Sequence, residues 1–213
     1  MKQLITYIFE AIKKLPKNLK GVIVFDIDDT LLKVDSSKIC IYKHTDNGEI
    51  AISTEEFAKD PDAADPNKKY LFDLRDFRDE KKVYNSIVNG TPLIKNLKIM
   101  DSYLNAGYDF CFLTARGAEE VVKKALDDFL LHKHPDGSLK KLGNLFKKTL
   151  SHAVNDEYKN YLGISDAEKK GNILLDLCKK YDKVVFVDDD PKNIKIAKDL
   201  EQRNLVIIKA WDE

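Results

Sequence analysis

The chain has 213 residues, enough for one hydrophobic core and an insertion, and its 43% apolar and 34% charged residues are typical of a soluble globular protein. Its 36 lysines and arginines balance 36 aspartates and glutamates, which excludes a global basic field that would attract nucleic acid or an anionic membrane. Three widely spaced cysteines, Cys40, Cys111 and Cys178, favour a reducing cytoplasm over a disulfide framework or a zinc site. We therefore expect a cytoplasmic protein.

Residues 1–20 carry apolar side chains at helical spacing, which predicts an amphipathic N-terminal helix that ends at Pro16. Glu10, Lys13 and Lys14 interrupt the apolar run, so it lacks the clean core of a signal peptide. It is also shorter than the roughly 20 apolar residues of a transmembrane helix. We expect this helix to pack on its own domain or on a partner, and we expect no membrane association.

The apolar run Val22–Phe25 predicts a strand that is buried on both faces of a parallel sheet. Asp26, Asp28 and Asp29 follow it directly, and Thr30 comes next. Ligands of open α/β sheets bind where such strands end. Crowded carboxylates repel one another and are costly to bury without a cation. An acidic turn would account for one aspartate only, so the pattern predicts a bound metal.

Residues 33–90 form a long insertion between this strand and the rest of the core. The turn signal Asp46-Asn47-Gly48 separates two alternating segments and predicts a β-hairpin. The proline- and charge-rich segment 60–69 predicts a loop. Because the insertion is too small and polar to fold alone, we expect a flap or cap over the site. The catalytic core is then expected to comprise residues 21–32 and 91–213.

Strands and helices alternate in the remaining sequence. Thr91 is predicted to cap a helix with Pro92 at its first position, and Ser165 is predicted to cap another through a capping box with Glu168. The expected strands are residues 108–113, a short one within 145–154, 183–187 and 204–210. Alternation of this kind predicts an α/β fold with a three-layer, Rossmann-like core and a mostly parallel sheet.

Polar residues follow three of these strands and begin one helix. They are Asp26, Asp28 and Thr30; Thr114 and Arg116; Asp188 and Asp189; and Lys169 or Lys170. Carboxylates without histidine or cysteine are hard oxygen ligands that suit Mg²⁺. A hydroxyl and an ammonium group beside them suit the oxygens of a phosphoryl group. The set therefore predicts a magnesium site that handles a phosphorylated substrate.

The same residues resemble the four ordered motifs of the haloacid dehalogenase (HAD) superfamily. The matching segments are Phe25–Leu31, Phe112–Arg116, Lys170 and Val187–Asp189. The first motif is highly specific, whereas the second and fourth gain their weight from their order and from their place at strand ends. The likeness covers the core outside the insertion.

The resemblance implies a role for each residue. Asp26 would be the nucleophile that forms an aspartyl-phosphate, and Asp28 would be the general acid and base. Thr114 and a lysine would bind the phosphoryl oxygens. Mg²⁺ would bind the Asp26 carboxylate, the Asp28 carbonyl and an acid of the third strand, with Asp189 favoured over Asp188 as the direct ligand.

Thr30, Lys169 and Arg116 are further candidates for substrate binding. Thr30 lies within the first motif, and both Lys169 and Lys170 qualify as the phosphate-binding lysine. Arg116 either binds a substrate phosphate or caps the helix that begins beside it.

Within the superfamily, an acid at position 28 indicates a phosphatase or a phosphomutase. Since the insertion does not look like the compact helical cap of a phosphomutase, we expect a Mg²⁺-dependent phosphatase. The layout of the run Tyr70–Leu74, the helix from Pro92 and the strand that ends in Thr114 is loosely similar to the phosphatase domain of polynucleotide kinase-phosphatases. This likeness makes a nucleotide or a nucleic-acid end a candidate substrate. The basic residues Lys68, Lys69, Arg75 and Arg78 could contact such a polyanion or simply be solvated. The alternative is a non-catalytic binding module on the same fold.

Overall fold

The computed structural model describes residues 19–35, 38–133, 150–153 and 165–211. The helix predicted within residues 1–20 lies outside these ranges, and of that segment residues 19 and 20 alone are described. Of the strand predicted within residues 145–154, the part described is 150–153.

The described strands, in chain order, are β1 (Gly21–Phe25), β2 (Leu32–Lys33), β3 (Ile41–Thr45), β4 (Gly48–Ile52), β5 (Phe72–Asp73), β6 (Thr91–Pro92), β7 (Asp109–Thr114), β8 (Leu150–Ala153), β9 (Lys183–Asp188) and β10 (Leu205–Lys209). The described α-helices are α1 (Thr54–Lys59), α2 (Pro61–Ala64), α3 (Glu80–Val88), α4 (Ile94–Asn105), α5 (Glu119–Lys133), α6 (Asp166–Lys180) and α7 (Pro191–Asp199). Short 3₁₀ helices cover Pro66–Leu71 and Arg75–Arg78.

Five parallel strands form the central sheet in the order β10-β9-β1-β7-β8. Phe25 at the end of β1 pairs with Phe112 of β7 on one side and with Val187 of β9 on the other. After β8 the chain crosses to β9 on the far side of β1, so β1 ends at a topological switch point. Such a point is where ligands bind in sheets of this kind.

Helices cover both faces of the sheet, which gives the three-layer, Rossmann-like α/β arrangement that the sequence predicts. One core joins Phe25 and Phe112 to apolar side chains of α3, α4 and α5. The other joins Val24 and Phe186 to apolar side chains of α6 and α7. The alternation along β1 explains the division, because successive side chains of a strand point to opposite faces.

A second, antiparallel sheet of three strands lies within residues 33–90, in the order β4-β3-β5. We call it the hairpin sheet. The hairpin predicted around Asp46-Asn47-Gly48 is confirmed, with Thr45 paired to Gly48 and Gly48 at a φ of 113°. The helix α3, in the same insertion, instead contributes Val83 and Ile87 to the main core.

The helix start predicted at Thr91 is wrong. Thr91 and Pro92 form β6, which pairs antiparallel with Lys33 and Leu32 of β2, and the helix α4 begins at Ile94. Proline is compatible with an extended backbone at the edge of a sheet, so Pro92 can lie in this short ladder. The short ladder thereby joins the two ends of the insertion at its base.

Candidate active site

The parallel ladder between β1 and β9 brings two aspartates together. The Asp26 amide donates to the Val187 carbonyl at 3.0 Å, which continues the ladder one residue past Phe25. In this register Asp26 lies beside Asp188, on the sheet face that α6 covers. Both are buried, with 7% and 0% of their surface exposed.

The helix α6 delivers a lysine to both carboxylates. Lys170 Nζ lies 2.7 Å from Asp26 Oδ1 and 2.9 Å from Asp188 Oδ2, and the residue is 3% exposed. It sits one turn before Ile173 and Leu174, which pack on the sheet and fix the helix face. Lys169 instead pairs with Asp166 of its own helix, at 2.9 Å. Of the two lysines, Lys170 is the one that bonds to the site carboxylates.

Asp188 is held in place by donors from the start of α7. The Asp190 amide donates to its Oδ1 at 2.9 Å, and Asn193 Nδ2 lies 3.0 Å from both of its oxygens. Asp190 caps α7 by accepting from the Lys192 amide, and Pro191 lies at the first helical position. The sequence analysis did not identify Asn193 as a site residue. Its position in the first turn of a helix that begins directly after Asp188 and Asp189 could have indicated it.

Asp189 is bonded to Thr30 through two hydrogen bonds. The Thr30 hydroxyl donates to Asp189 Oδ1 at 2.9 Å and accepts from the Asp189 amide at 3.1 Å. Thr30 is fully buried, and its carbonyl accepts from Asn96 Nδ2 of α4 at 2.8 Å. Its hydroxyl, predicted to bind substrate, therefore fixes the loop after β1 against the loop after β9.

Asp28 is paired with Arg116. Arg116 Nε donates to Asp28 Oδ2 at 2.8 Å and its Nη2 to Asp28 Oδ1 at 2.6 Å, while its Nη1 donates to Ser86 Oγ at 2.9 Å. The arginine side chain is 1% exposed and that of Asp28 is 28% exposed. Neither of the two roles predicted for Arg116, phosphate binding and helix capping, included this contact.

Thr114 ends β7 and is fully buried. Its hydroxyl accepts from the Arg116 amide at 3.1 Å, which orders the turn after the strand. The register of β7 against β1 places Thr114 near the level at which Asp26 leaves the sheet.

Burial and mutual repulsion shape the charges of the cluster. The pKa of Asp26 is raised well above its usual value by burial and by the charges of neighbouring aspartates, although Lys170 opposes the shift. Burial and the charge of Asp188 raise the pKa of Asp189 to about 6, against the Thr30 hydrogen bond. Burial disfavours charged Lys170, but Asp26 and Asp188 outweigh it and raise its pKa.

Asp26, Asp188 and Asp189 each offer a carboxylate oxygen, and these oxygens lie within 4.8 Å of one another. Lys170 is bonded to two of these three aspartates, so the cluster carries excess negative charge that a divalent cation would neutralise. An all-oxygen donor set fits a hard cation such as Mg²⁺. In the hydrogen bonds between described residues, Asp188 uses both carboxylate oxygens, whereas the side chain of Asp189 uses Oδ1.

Basic residues of the insertion are paired with acids. Lys68 lies 2.7 Å from Asp62, and Arg75 pairs with Glu49 and stacks on the ring of Tyr42 at 3.7 Å. Two of the four residues considered for polyanion binding therefore already have acidic partners.

No protein-family profile matches the chain, and no curated protein matches it significantly. Within the described ranges, none of the helices combines the length and the apolar character needed to cross a membrane.

Proposed function

We propose that the protein is a Mg²⁺-dependent phosphomonoester hydrolase that acts through an aspartyl-phosphate on Asp26. The observation that carries the proposal is the shared ammonium group of Lys170, bonded to Asp26 and Asp188 inside a cluster of three aspartates at the end of β1. An anionic nucleophile and an anionic phosphate repel each other, and a nearby positive charge lowers that repulsion.

Asp26, the Asp28 carbonyl and Asp189 would hold Mg²⁺, with Asp188 supporting them through its contacts to Lys170 and Asn193. When bound, the ion supplies positive charge that lowers the repulsion between nucleophile and phosphate. Support for Asp189 as the direct ligand comes from its second carboxylate oxygen, since the bonds described above engage Oδ1.

The proposed reaction has two steps, and each of these side chains has a role in them. The Asp26 carboxylate attacks phosphorus, the bond from phosphorus to the ester oxygen breaks, and Asp28 gives a proton to the leaving alcohol. Water then attacks the phosphorus of the aspartyl-phosphate, Asp26 leaves as carboxylate, and Asp28 accepts the proton of the water. Lys170 and Thr114 contact the phosphoryl oxygens.

The test uses a generic aryl phosphate. The wild type should release phosphate with Mg²⁺ and lose that activity with a chelator, and Asp26→Asn should be inactive under both conditions. Equal rates for the wild type and Asp26→Asn would overturn the proposal. A non-catalytic binding module on the same fold would release no phosphate, and a phosphomutase would transfer the phosphoryl group within a sugar phosphate.

A further inference from the structure

Arg116 binds the Asp28 carboxylate through two parallel hydrogen bonds from one edge of its guanidinium, an arrangement we call the fork. Its Nε and Nη2 each donate to a different carboxylate oxygen, at 2.8 and 2.6 Å, across 88 residues of sequence. A planar guanidinium bound through two parallel hydrogen bonds fixes the plane of the carboxylate as well as its position. Asp28 is therefore held in one orientation.

The guanidinium is itself fixed from behind. Its Nη1 donates to Ser86 Oγ at 2.9 Å, and the Ser86 hydroxyl donates to the Val83 carbonyl at 2.8 Å within α3. The ring of Phe77 lies 5.7 Å from the guanidinium carbon, and Ser86 is fully buried. These contacts hold the buried Arg116 side chain away from solvent, so its guanidinium is badly placed to bind substrate.

The fork leaves part of Asp28 available for chemistry. A carboxylate has about four lone-pair sites, and the fork uses two of them. The Asp28 side chain is 28% exposed while that of Arg116 is 1% exposed, so the open side of the carboxylate faces away from the arginine. An acceptor held in this way suits the acceptance of a proton from water.

We propose that Arg116 is a positioning residue that aims Asp28 for hydrolysis of the aspartyl-phosphate, with Ser86 as its support. This inference rests on the proposed function. In the step concerned, water oxygen bonds to phosphorus, the bond from phosphorus to Asp26 breaks with its electron pair going to the Asp26 carboxylate, and the water proton passes to Asp28. Arg116 touches neither the phosphate nor the water.

The test measures the fraction of enzyme that is phosphorylated at saturating aryl phosphate, by acid quench and peptide mass. An aryl oxide leaves readily, so formation of the intermediate needs Asp28 less than its hydrolysis does. Arg116→Lys keeps the charge but loses the fork. It should slow turnover about 10- to 100-fold while the phosphorylated fraction rises above that of the wild type.

Asp28→Asn should show the same rise, Ser86→Ala a smaller one, and the exposed Arg203→Lys none. Loss of folding alone would lower turnover without raising the phosphorylated fraction. If Arg116→Lys does not fold, Ser86→Ala carries the test. A fraction that rises in Asp28→Asn but stays at the wild-type level in the folded Arg116 or Ser86 variant overturns the inference alone. Absence of phosphoenzyme in the wild type and in Asp28→Asn overturns the proposed function.

Discussion

Lys170 and Asp26 form a buried ion pair at 2.7 Å, although 144 residues separate them in sequence. The same ammonium group lies 2.9 Å from Asp188, so one cation serves two carboxylates. Removing one partner of a buried pair leaves a charge that neither water nor protein compensates. This contact therefore links the stability of the cluster to its chemistry.

Lys170→Met should abolish phosphatase activity, with a loss of at least about 100-fold. The methionine fills the space but leaves Asp26 and Asp188 without their shared cation, which raises the pKa of Asp26 further. Lys169→Met is the matched control, because Lys169 pairs with Asp166 on its own helix. Steady-state rates with an aryl phosphate, for variants with wild-type far-ultraviolet circular dichroism, check this. Loss in Lys169→Met with activity retained in Lys170→Met would reverse the assignment.

Mg²⁺ should stabilise the wild type, because an ion that binds the folded state alone adds about 2.7 kcal/mol at a hundredfold excess over its Kd. Asp189→Asn should remove most of that gain, since it withdraws one carboxylate from the cluster of three aspartates. The exposed Asp199→Asn, at the end of α7, should keep it. Thermal unfolding with and without Mg²⁺ measures both. A full magnesium shift in Asp189→Asn would exclude Asp189 as a ligand.

The free energy of unfolding of the metal-free protein should depend on pH through Asp189. Burial and the charge of Asp188 raise the pKa of this residue to about 6. Because the folded state holds this proton more tightly than the unfolded state does, the residue lowers the free energy of unfolding as pH rises from about 4 to 6. Asp189→Asn should then be more stable than the wild type above that range, by up to about 3 kcal/mol, and equal to it in acid. Urea unfolding with a chelator, from acid to neutral pH, checks the sign. A less stable Asp189→Asn at neutral pH would contradict it.

Asp76 should stabilise the hairpin sheet. Its carboxylate accepts from the Cys40 amide at 3.1 Å, from the Tyr42 hydroxyl at 3.3 Å and from Lys82 at 2.6 Å. Burial opposes ionisation, but these donors outweigh it and hold the pKa of Asp76 below 3.8. Asp76→Asn should cost about 1–3 kcal/mol of unfolding free energy at neutral pH.

The deficit of Asp76→Asn should shrink as pH falls below 3.8, because the wild type loses this stabilisation when Asp76 is protonated. Chemical denaturation at several pH values measures it, with the exposed hairpin-turn variant Asp46→Asn as the control. An equal loss in both variants would show that the contacts of Asp76 do not matter.

The sequence predicted the sheet well because its strands are unbroken apolar runs, such as Val22–Phe25, that end in polar residues. It predicted that the polar groups gather, since parallel strands end at one edge of a sheet. It could not choose between Lys169 and Lys170, because both lie in the first turns of α6 and the choice depends on how that helix packs. The pairing of Arg116 with Asp28 and Ser86 joins three distant segments, which no local pattern reveals.

The helix start expected at Thr91 failed for a related reason. A threonine followed by proline is a local signal for a helix start, but here the tertiary pairing of β6 with β2 overrides it. The hairpin succeeded because its turn chemistry and its alternation agree with each other.

The proposed mechanism requires that Asp26 becomes phosphorylated during turnover. The most direct measurement is peptide mass analysis of the enzyme after acid quench with aryl phosphate and Mg²⁺. We expect the added mass of one phosphoryl group on the peptide that contains Asp26, its removal by hydroxylamine, and its absence from Asp26→Asn. Steady hydrolysis by Asp26→Asn at the wild-type rate, with no modified peptide in either protein, would show that Asp26 is not the nucleophile.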